Sequence, residues 1–256
     1  KMAGVDEFKV VTRRKRGNRF LRGVHRLDCF RQVVAAVEEI SISGYGNILL
    51  DGLAESLKLI KAPSVQEIIC YGLGNFSQSR VSKFQLAAVL TVKSRYNSKV
   101  HIYDPLFFSS EIELLKKLRL CPIESNEEAK RIVGEGVNLV YMPHCPYQLT
   151  NNFIYTNWTP KLLTNCIVLS NSFSELVDSK FLRSLRESEN FLARIHPYTT
   201  EIPLKNSFEY DNIFNGSSIH VFLGENLARV PENFWNLREE PIYQEENFVD
   251  TLTKRT

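Results

Sequence analysis

The feature that most constrains this chain is a strand-like run that ends on two glycines. Glu67-Ile68-Ile69-Cys70-Tyr71 is short and apolar, as expected of a strand buried on both faces of a parallel sheet. Gly72-Leu73-Gly74-Asn75 stops it. Helical periodicity follows over residues 77–93, with Val81, Phe84, Ala88 and Val92 on one side. A strand, a glycine turn and a helix open a βαβ unit. Glycine permits a sharp turn and close backbone approach, and a helix N-terminus presents unpaired N–H groups to an anion.

The pattern recurs downstream. Residues 100–103 form a second strand, ended by Asp104-Pro105. Ser110, with Glu113 three positions on, has capping-box spacing and opens a helix that buries Ile112, Leu115 and Leu118. Residues 120–123 suit a third short strand, and Asn126 can cap a helix ending near Gly134 or Gly136. Residues 137–142 and 166–170 are the next strands, the latter followed by a helix over 173–186. The runs at 67–71, 100–103, 137–142 and 166–170 are therefore expected as parallel neighbours in one sheet. Those around Ala193-Arg194-Ile195 and at 219–223 are expected as an antiparallel edge. The fold class is α/β: a Rossmann-like, mostly parallel sheet flanked by helices.

An N-terminal helical addition precedes it. Residues 27–40 place Phe30, Val33, Val34, Val37 and Ile40 on one side, and residues 48–60 form a second helix. The expected organisation is a flexible basic arm at 1–26, the helical addition at 27–64, the Rossmann-like domain at 65–230 and a peripheral tail at 231–256 docked by Phe234 and Trp235.

Charge is unevenly distributed. The first 26 residues hold nine Lys or Arg and two acids, a net of +7 in a chain whose total is +3, leaving −4 on the rest. Arg13-Arg14-Lys15-Arg16-Gly17-Asn18-Arg19 suits nuclear import, an acidic protein partner or simply a solvated terminus. Nucleic acid would be held only weakly by such an arm, in a salt-sensitive and sequence-blind way. The five cysteines form no CxxC pair, which points to a reducing compartment. No apolar run has bilayer length and no signal-peptide core is present. The expected location is the cytoplasm, and the nucleus if the arm is an import signal.

Four places could carry chemistry. At the first, Gly72, Leu73 and Gly74, with Asn75 and Ser77, either bind a ligand or make a tight turn with a helix cap. The full dinucleotide fingerprint needs glycine where Ser77 stands, which disfavours pyrophosphate and leaves a nucleoside-type ligand. At the second, Asp104 ends the next strand, where it could face ribose hydroxyls or merely shape the turn before Pro105. The third is Pro143-His144-Cys145-Pro146-Tyr147. His144 could act as acid, base or ligand there. Cys145, expected as a thiolate on an exposed loop, could ligate haem iron, with His144 as the next choice. A rigid proline-framed loop is the plain alternative, and no zinc ligand set is present. The fourth is polar: Asn151, Asn152, Asn157, Asn165 and Ser170-Asn171-Ser172-Phe173. Such residues shape pockets and fix loops but supply no general base near neutral pH. Asn171, at a strand end, is the binding candidate among them.

Taken together, Ile69 through Ser77, Phe84-Gln85-Leu86-Ala87, Tyr103-Asp104-Pro105, Met142 through Pro146 and Asn165 through Phe173 resemble the sensitivity-to-red-light-reduced domain family. The resemblance covers roughly residues 65–175 in order. It implies a regulatory protein acting in haem biosynthesis and circadian clock-gene expression, and it implies no catalytic residues. A transferase using S-adenosylmethionine or another nucleoside cofactor is the alternative, by analogy of fold. A scaffold that recruits protein partners through its basic arm and helices is a third.

Overall fold

The computed structural model describes residues 15–178, 189–231, 233–236 and 238–243, with side chains from Asp28 onward. Two helices come first, α1 (Lys15–Ile42) and α2 (Gly44–Leu59). They meet at 71°, where Ser43 accepts a hydrogen bond from Gly46 N–H at 3.0 Å and so caps α2. The helix α1 begins inside the basic segment; residues 1–14 lie outside the described ones. Its buried stripe is Cys29, Val33, Ala36 and Ile40, whereas Phe30 and Val34 are exposed. The period read from the sequence is right, and the face is rotated by about one residue.

The sheet domain follows as β1 (Glu67–Tyr71), α3 (Arg80–Tyr96), β2 (Lys99–Tyr103), α4 (Ser109–Lys117), β3 (Cys121–Pro122), β4 (Asn138–Met142), α5 (Tyr147–Thr156), α6 (Pro160–Leu163), β5 (Cys166–Asn171) and α7 (Phe173–Asp178). After it come α8 (Phe191–Ile195), β6 (Thr200–Pro203), α9 (Asp211–Phe214), β7 (Ser217–Val221) and α10 (Gly224–Leu227). The seven strands lie in the order β3-β2-β1-β4-β5-β7-β6. The first five pair in parallel, and β7 joins β5 and β6 antiparallel. The four expected parallel neighbours are therefore adjacent.

Alternation along the strands divides the core into two layers. Ile68, Cys70, Leu139, Tyr141, Ile167, Leu169, Ile219 and Val221 pack with residues of α1, α2, α3 and α4. Ile69, Tyr71, Val140, Met142, Cys166 and Val168 pack on the other face with α5, α8 and the residues Phe234, Trp235 and Tyr243 near the C-terminus. Trp158 is buried there, stacked on Phe234 with ring centres 4.9 Å apart and covered by the Arg194 guanidinium at 4.6 Å. No single described helix is long and apolar enough to cross a membrane.

Several expected elements differ. The helix α3 starts at Arg80 with Ser79 as its cap, so Ser77 belongs to the turn. Residues 126–136 hold no helix. Asn126 instead accepts from Glu128 N–H at 3.0 Å, a local turn, and Glu128 and Ala129 take positive φ angles of 48° and 59° that no helix admits. Ala193-Arg194-Ile195 is helical, because Asn190 caps it by accepting from Ala193 N–H at 3.1 Å; the edge strand lies further on, at β6. The helix α7 is described to Asp178, and residues 179–188 lie outside the described ones.

Candidate functional site

In this strand order the connections leave β1 in one direction and enter β4 in the other, so the crevice at their carboxyl ends is the switch point where open α/β sheets place ligands. Gly72, Leu73 and Gly74 leave β1 there, Asp104 leaves β2, His144 and Cys145 leave β4, and Asn171 ends β5. All the candidate binding residues thus lie along one edge.

Their hydrogen bonds define what that edge can do. Gly72 and Gly74 have φ of +69° and +79°, the left-handed region where a side chain costs roughly 1–2 kcal/mol. Space is equally decisive. A Cβ on Gly72 would overlap the Cys145 sulfur, and one on Gly74 would stand 2.7 Å from Ser82 Oγ. Several of the turn's donors are already engaged. Gly74 N–H donates to Asp104 Oδ2 at 2.7 Å, and Ser77 N–H to Glu111 Oε1 at 2.6 Å. Gln78 N–H donates to Asn75 Oδ1 at 3.1 Å. Asp104 Oδ1 also accepts from Leu106 N–H at 2.8 Å, and Glu111 Oε2 from Phe108 N–H at 2.8 Å. Two of the chain's own carboxylates therefore occupy backbone donors that a pyrophosphate would need.

Glu111 was not anticipated. It lies in the first turn of α4, 1% exposed, and it is the carboxylate that closes back on the helix start, where the sequence suggested Glu113. The difference follows from helix register: the cap lies two residues earlier than the sequence suggests, at Phe108 in place of Ser110, and Phe108 contributes only its backbone.

Across the crevice, His144 adopts φ +56°. Its N–H donates to Asn171 Oδ1 at 2.9 Å, and Asn171 Nδ2 donates to the Cys145 carbonyl at 2.9 Å. One amide from β5 thus clamps the turn leaving β4. The His144 ring bridges outward: Nε2 is 2.9 Å from the Asn215 carbonyl and Nδ1 is 3.5 Å from Gln85 Nε2. The carbonyl can only accept, so Nε2 carries the proton and Nδ1 accepts.

Cys145 is 4% exposed, and its thiol donates to the Tyr71 carbonyl at 3.3 Å. The expected exposed thiolate is corrected: residue 145 turns inward because Gly72 leaves room for its sulfur. With Cys145 packed against the β1 backbone and both His144 nitrogens engaged, these residues do not fit an axial ligand set for haem iron. Among the described residues, no group of three or more His, Cys, Asp or Glu is placed to hold a metal ion.

The asparagine cluster is structural in detail. Asn151 accepts from Leu192 N–H at 2.9 Å and donates to the Glu189 carbonyl at 2.9 Å, and Asn157 accepts from Val133 N–H at 3.0 Å.

A second polar group sits beyond β5. Ser174 N–H and Oγ lie 3.1 and 2.7 Å from Glu201 Oε2, and Ser174 Oγ is 3.2 Å from His196 Nε2. Burial pushes the Glu201 carboxyl up, but hydrogen bonds from Ser172 and Ser174 outweigh it and hold it below the ordinary range. These hydrogen bonds tie β6 to the start of α7. His220 is fully buried: Nδ1–H donates to the Val168 carbonyl at 3.0 Å, and Nε2 accepts from Phe173 N–H at 3.2 Å. Burial holds its pKa below the usual histidine value. No spacing rule pointed to this set, since its members span β5 to β7 and meet only through antiparallel pairing.

The fold and its edge define a class: a Rossmann-like α/β protein with a self-capped glycine turn at the switch point. The SRR1 domain profile matches residues 53–221, and the chain belongs to the SRR1-domain family. It is 33% identical over 218 residues to an SRR1-like protein of Drosophila melanogaster, covering 84% of this chain and 76% of that protein. An SRR1-like protein of Mus musculus is 33% identical over 140 residues, 54% of this chain and 56% of the relative. The Arabidopsis thaliana protein SENSITIVITY TO RED LIGHT REDUCED 1 is 23% identical over 198 residues, 73% and 72% of the two chains. Among solved structures, a mutant of MtNAS aligns at a TM-score of 0.39 and 11% identity over 82% of this chain and 78% of its own. The 23S rRNA methyltransferase ErmE aligns at 0.38 and 10% over 76% and 70%.

Proposed function

We propose that this chain is a regulatory protein that responds to a small nucleoside-type ligand at the carboxyl edge of its sheet, and that its output is control of haem biosynthesis and clock-gene expression. The observation that carries the ligand part is the convergence of Gly72, Gly74, Asp104, His144 and Asn171 on the switch point between β1 and β4. Family membership over residues 53–221 carries the regulatory part; one relative is named for reduced sensitivity to red light. The filled backbone donors at Gly74 and Ser77 argue for an uncharged nucleoside over a nucleotide phosphate. Control of haem synthesis requires no haem ligand in the regulator. Protein partners would carry the signal onward.

The test has two parts. Thermal melting of the purified protein with adenosine, other nucleosides, S-adenosylmethionine and haemin should show a rise with a nucleoside, since a ligand that binds only the folded state stabilises it by mass action. Asn171→Ala should abolish the rise. Cells lacking the protein should show altered haem content and clock transcripts, restored by the wild-type chain and not by Asn171→Ala. Tight, selective binding of S-adenosylmethionine would replace the regulator by the transferase alternative. Unchanged haem and transcripts would remove the proposed output.

A further inference from the structure

Beneath the edge, on the sheet face covered by α2 and α3, the buried hydroxyls Tyr45 OH, Tyr141 OH and Ser217 Oγ have no hydrogen-bond partner among the described residues. The three residues are 0%, 1% and 3% exposed. Leaving a buried donor unsatisfied costs roughly 1–3 kcal/mol. The register places Tyr141 and Ser217 on one face of the sheet, two strands apart. Tyr141 faces Leu169, which faces Ile219, in one row across the sheet. Ser217 lies two residues before Ile219 on the same side, at the row that contains Asn171. Tyr45 approaches from α2, its ring stacked at 3.9 Å on Phe214, three residues before Ser217.

We propose that Tyr45, Tyr141 and Ser217 line an internal site for a small uncharged ligand carrying a carbonyl, amide or hydroxyl group. The inference stands whether or not the outer edge takes a nucleoside. Neutrality follows from what faces the site. Burial pushes the phenols of Tyr45 and Tyr141 up, so both stay protonated. The neighbouring Cys70 thiol is likewise pushed up by burial. An anion or cation would find no counter-charge among these groups, and a neutral ligand with acceptor and donor atoms would satisfy the hydroxyls.

The segment that carries α9 covers this face through Phe214, stacked on Tyr45. Gln85 Nε2 donates to the Ile213 carbonyl at 3.2 Å and His144 Nε2 to the Asn215 carbonyl at 2.9 Å. The same segment ends at Gly216, with φ +63°. His144 therefore latches the cover of this site to the edge above it.

Matched neutral and anionic probes test the proposal: formamide against formate, acetamide against acetate, benzamide against benzoate. With the tyrosine Cζ carbons labelled, at least one amide should shift the Tyr45 and Tyr141 signals, assigned from Tyr45→Phe and Tyr141→Phe, while its carboxylate partner should not. Either variant should fold with a near-native melting temperature, because it removes a hydroxyl that had no partner. Each should weaken amide binding at least about tenfold. No shift with any amide, equal binding of the carboxylates, or unchanged affinity in both variants would overturn the site.

Discussion

Asp104 and Gly74 are joined by a 2.7 Å hydrogen bond in which the glycine N–H donates to the carboxylate. The acidic group that ends β2 is thus built into the turn that ends β1. Asp104→Ala removes two acceptors at once, from Gly74 and from Leu106. A charge-assisted hydrogen bond contributes about 1.5–3 kcal/mol, so the variant should lose at least that much in a urea titration. Asp104→Asn should lose less, because one carbonyl oxygen remains to accept. Equal stability in Asp104→Ala and wild type would show that the turn holds itself.

Gly72 and Cys145 form a packed pair across the switch point. Gly72→Ala should cost about 3 kcal/mol, part from the left-handed backbone and part from overlap with the sulfur. Cys145→Ala in the same chain removes the overlap and leaves the backbone term. The double variant should therefore recover at least about 1 kcal/mol relative to the sum of the singles. Strict additivity would mean that the thiol moves aside.

The two outcomes illustrate what the residues made legible. Apolar runs of four to six residues closed by glycine, Asp-Pro, Pro-His or Ser-Asn gave the four parallel strands and the edge where the candidates meet, because strand burial depends on local composition. The detail of that edge depends on contacts across long separations. Glu111 reaches Ser77 over 34 positions and Asn171 reaches His144 over 27, and no local pattern encodes such reach. Asn126 shows the converse limit: the same side-chain oxygen serves a helix cap and a simple turn, and the positive φ at Glu128 and Ala129 decides between them. Cys145 was misread because its burial depends on the missing side chain of Gly72.

The group around Glu201 predicts two separate stages of acid destabilisation. His220 has a folded pKa below its unfolded value. Acidification through about pH 6.5 protonates the unfolded chain first and lowers stability. Protonation of the folded state would also set a second N–H against Phe173 N–H. Glu201 is likewise depressed, so the stability it contributes is present above its unfolded pKa of about 4.3 and is lost as pH falls towards the folded value. Urea midpoints measured from pH 8 to pH 3 should fall in both windows. Glu201→Gln should flatten the lower window relative to wild type, and His220→Phe the upper. A Glu201→Gln profile parallel to wild type below about pH 4 would remove the carboxylate from the account.

The basic cluster supplies the last prediction. Arg13, Arg14, Lys15, Arg16 and Arg19 lie within seven positions that carry no apolar residue. Five like charges so close repel one another within a Debye length of about 8–10 Å. The first helix enters this segment at Lys15, but its buried contacts with the domain, among the residues whose side chains are described, begin at Cys29. Replacing all five by alanine should therefore change the melting temperature little. If the cluster is an import signal, the same variant should move a fluorescently tagged chain from nucleus to cytoplasm. A large drop in melting temperature would show that the cluster packs on the domain. An unchanged distribution would leave an acidic protein partner as its use, and binding of that partner should then weaken steeply as salt is raised from 50 to 300 mM.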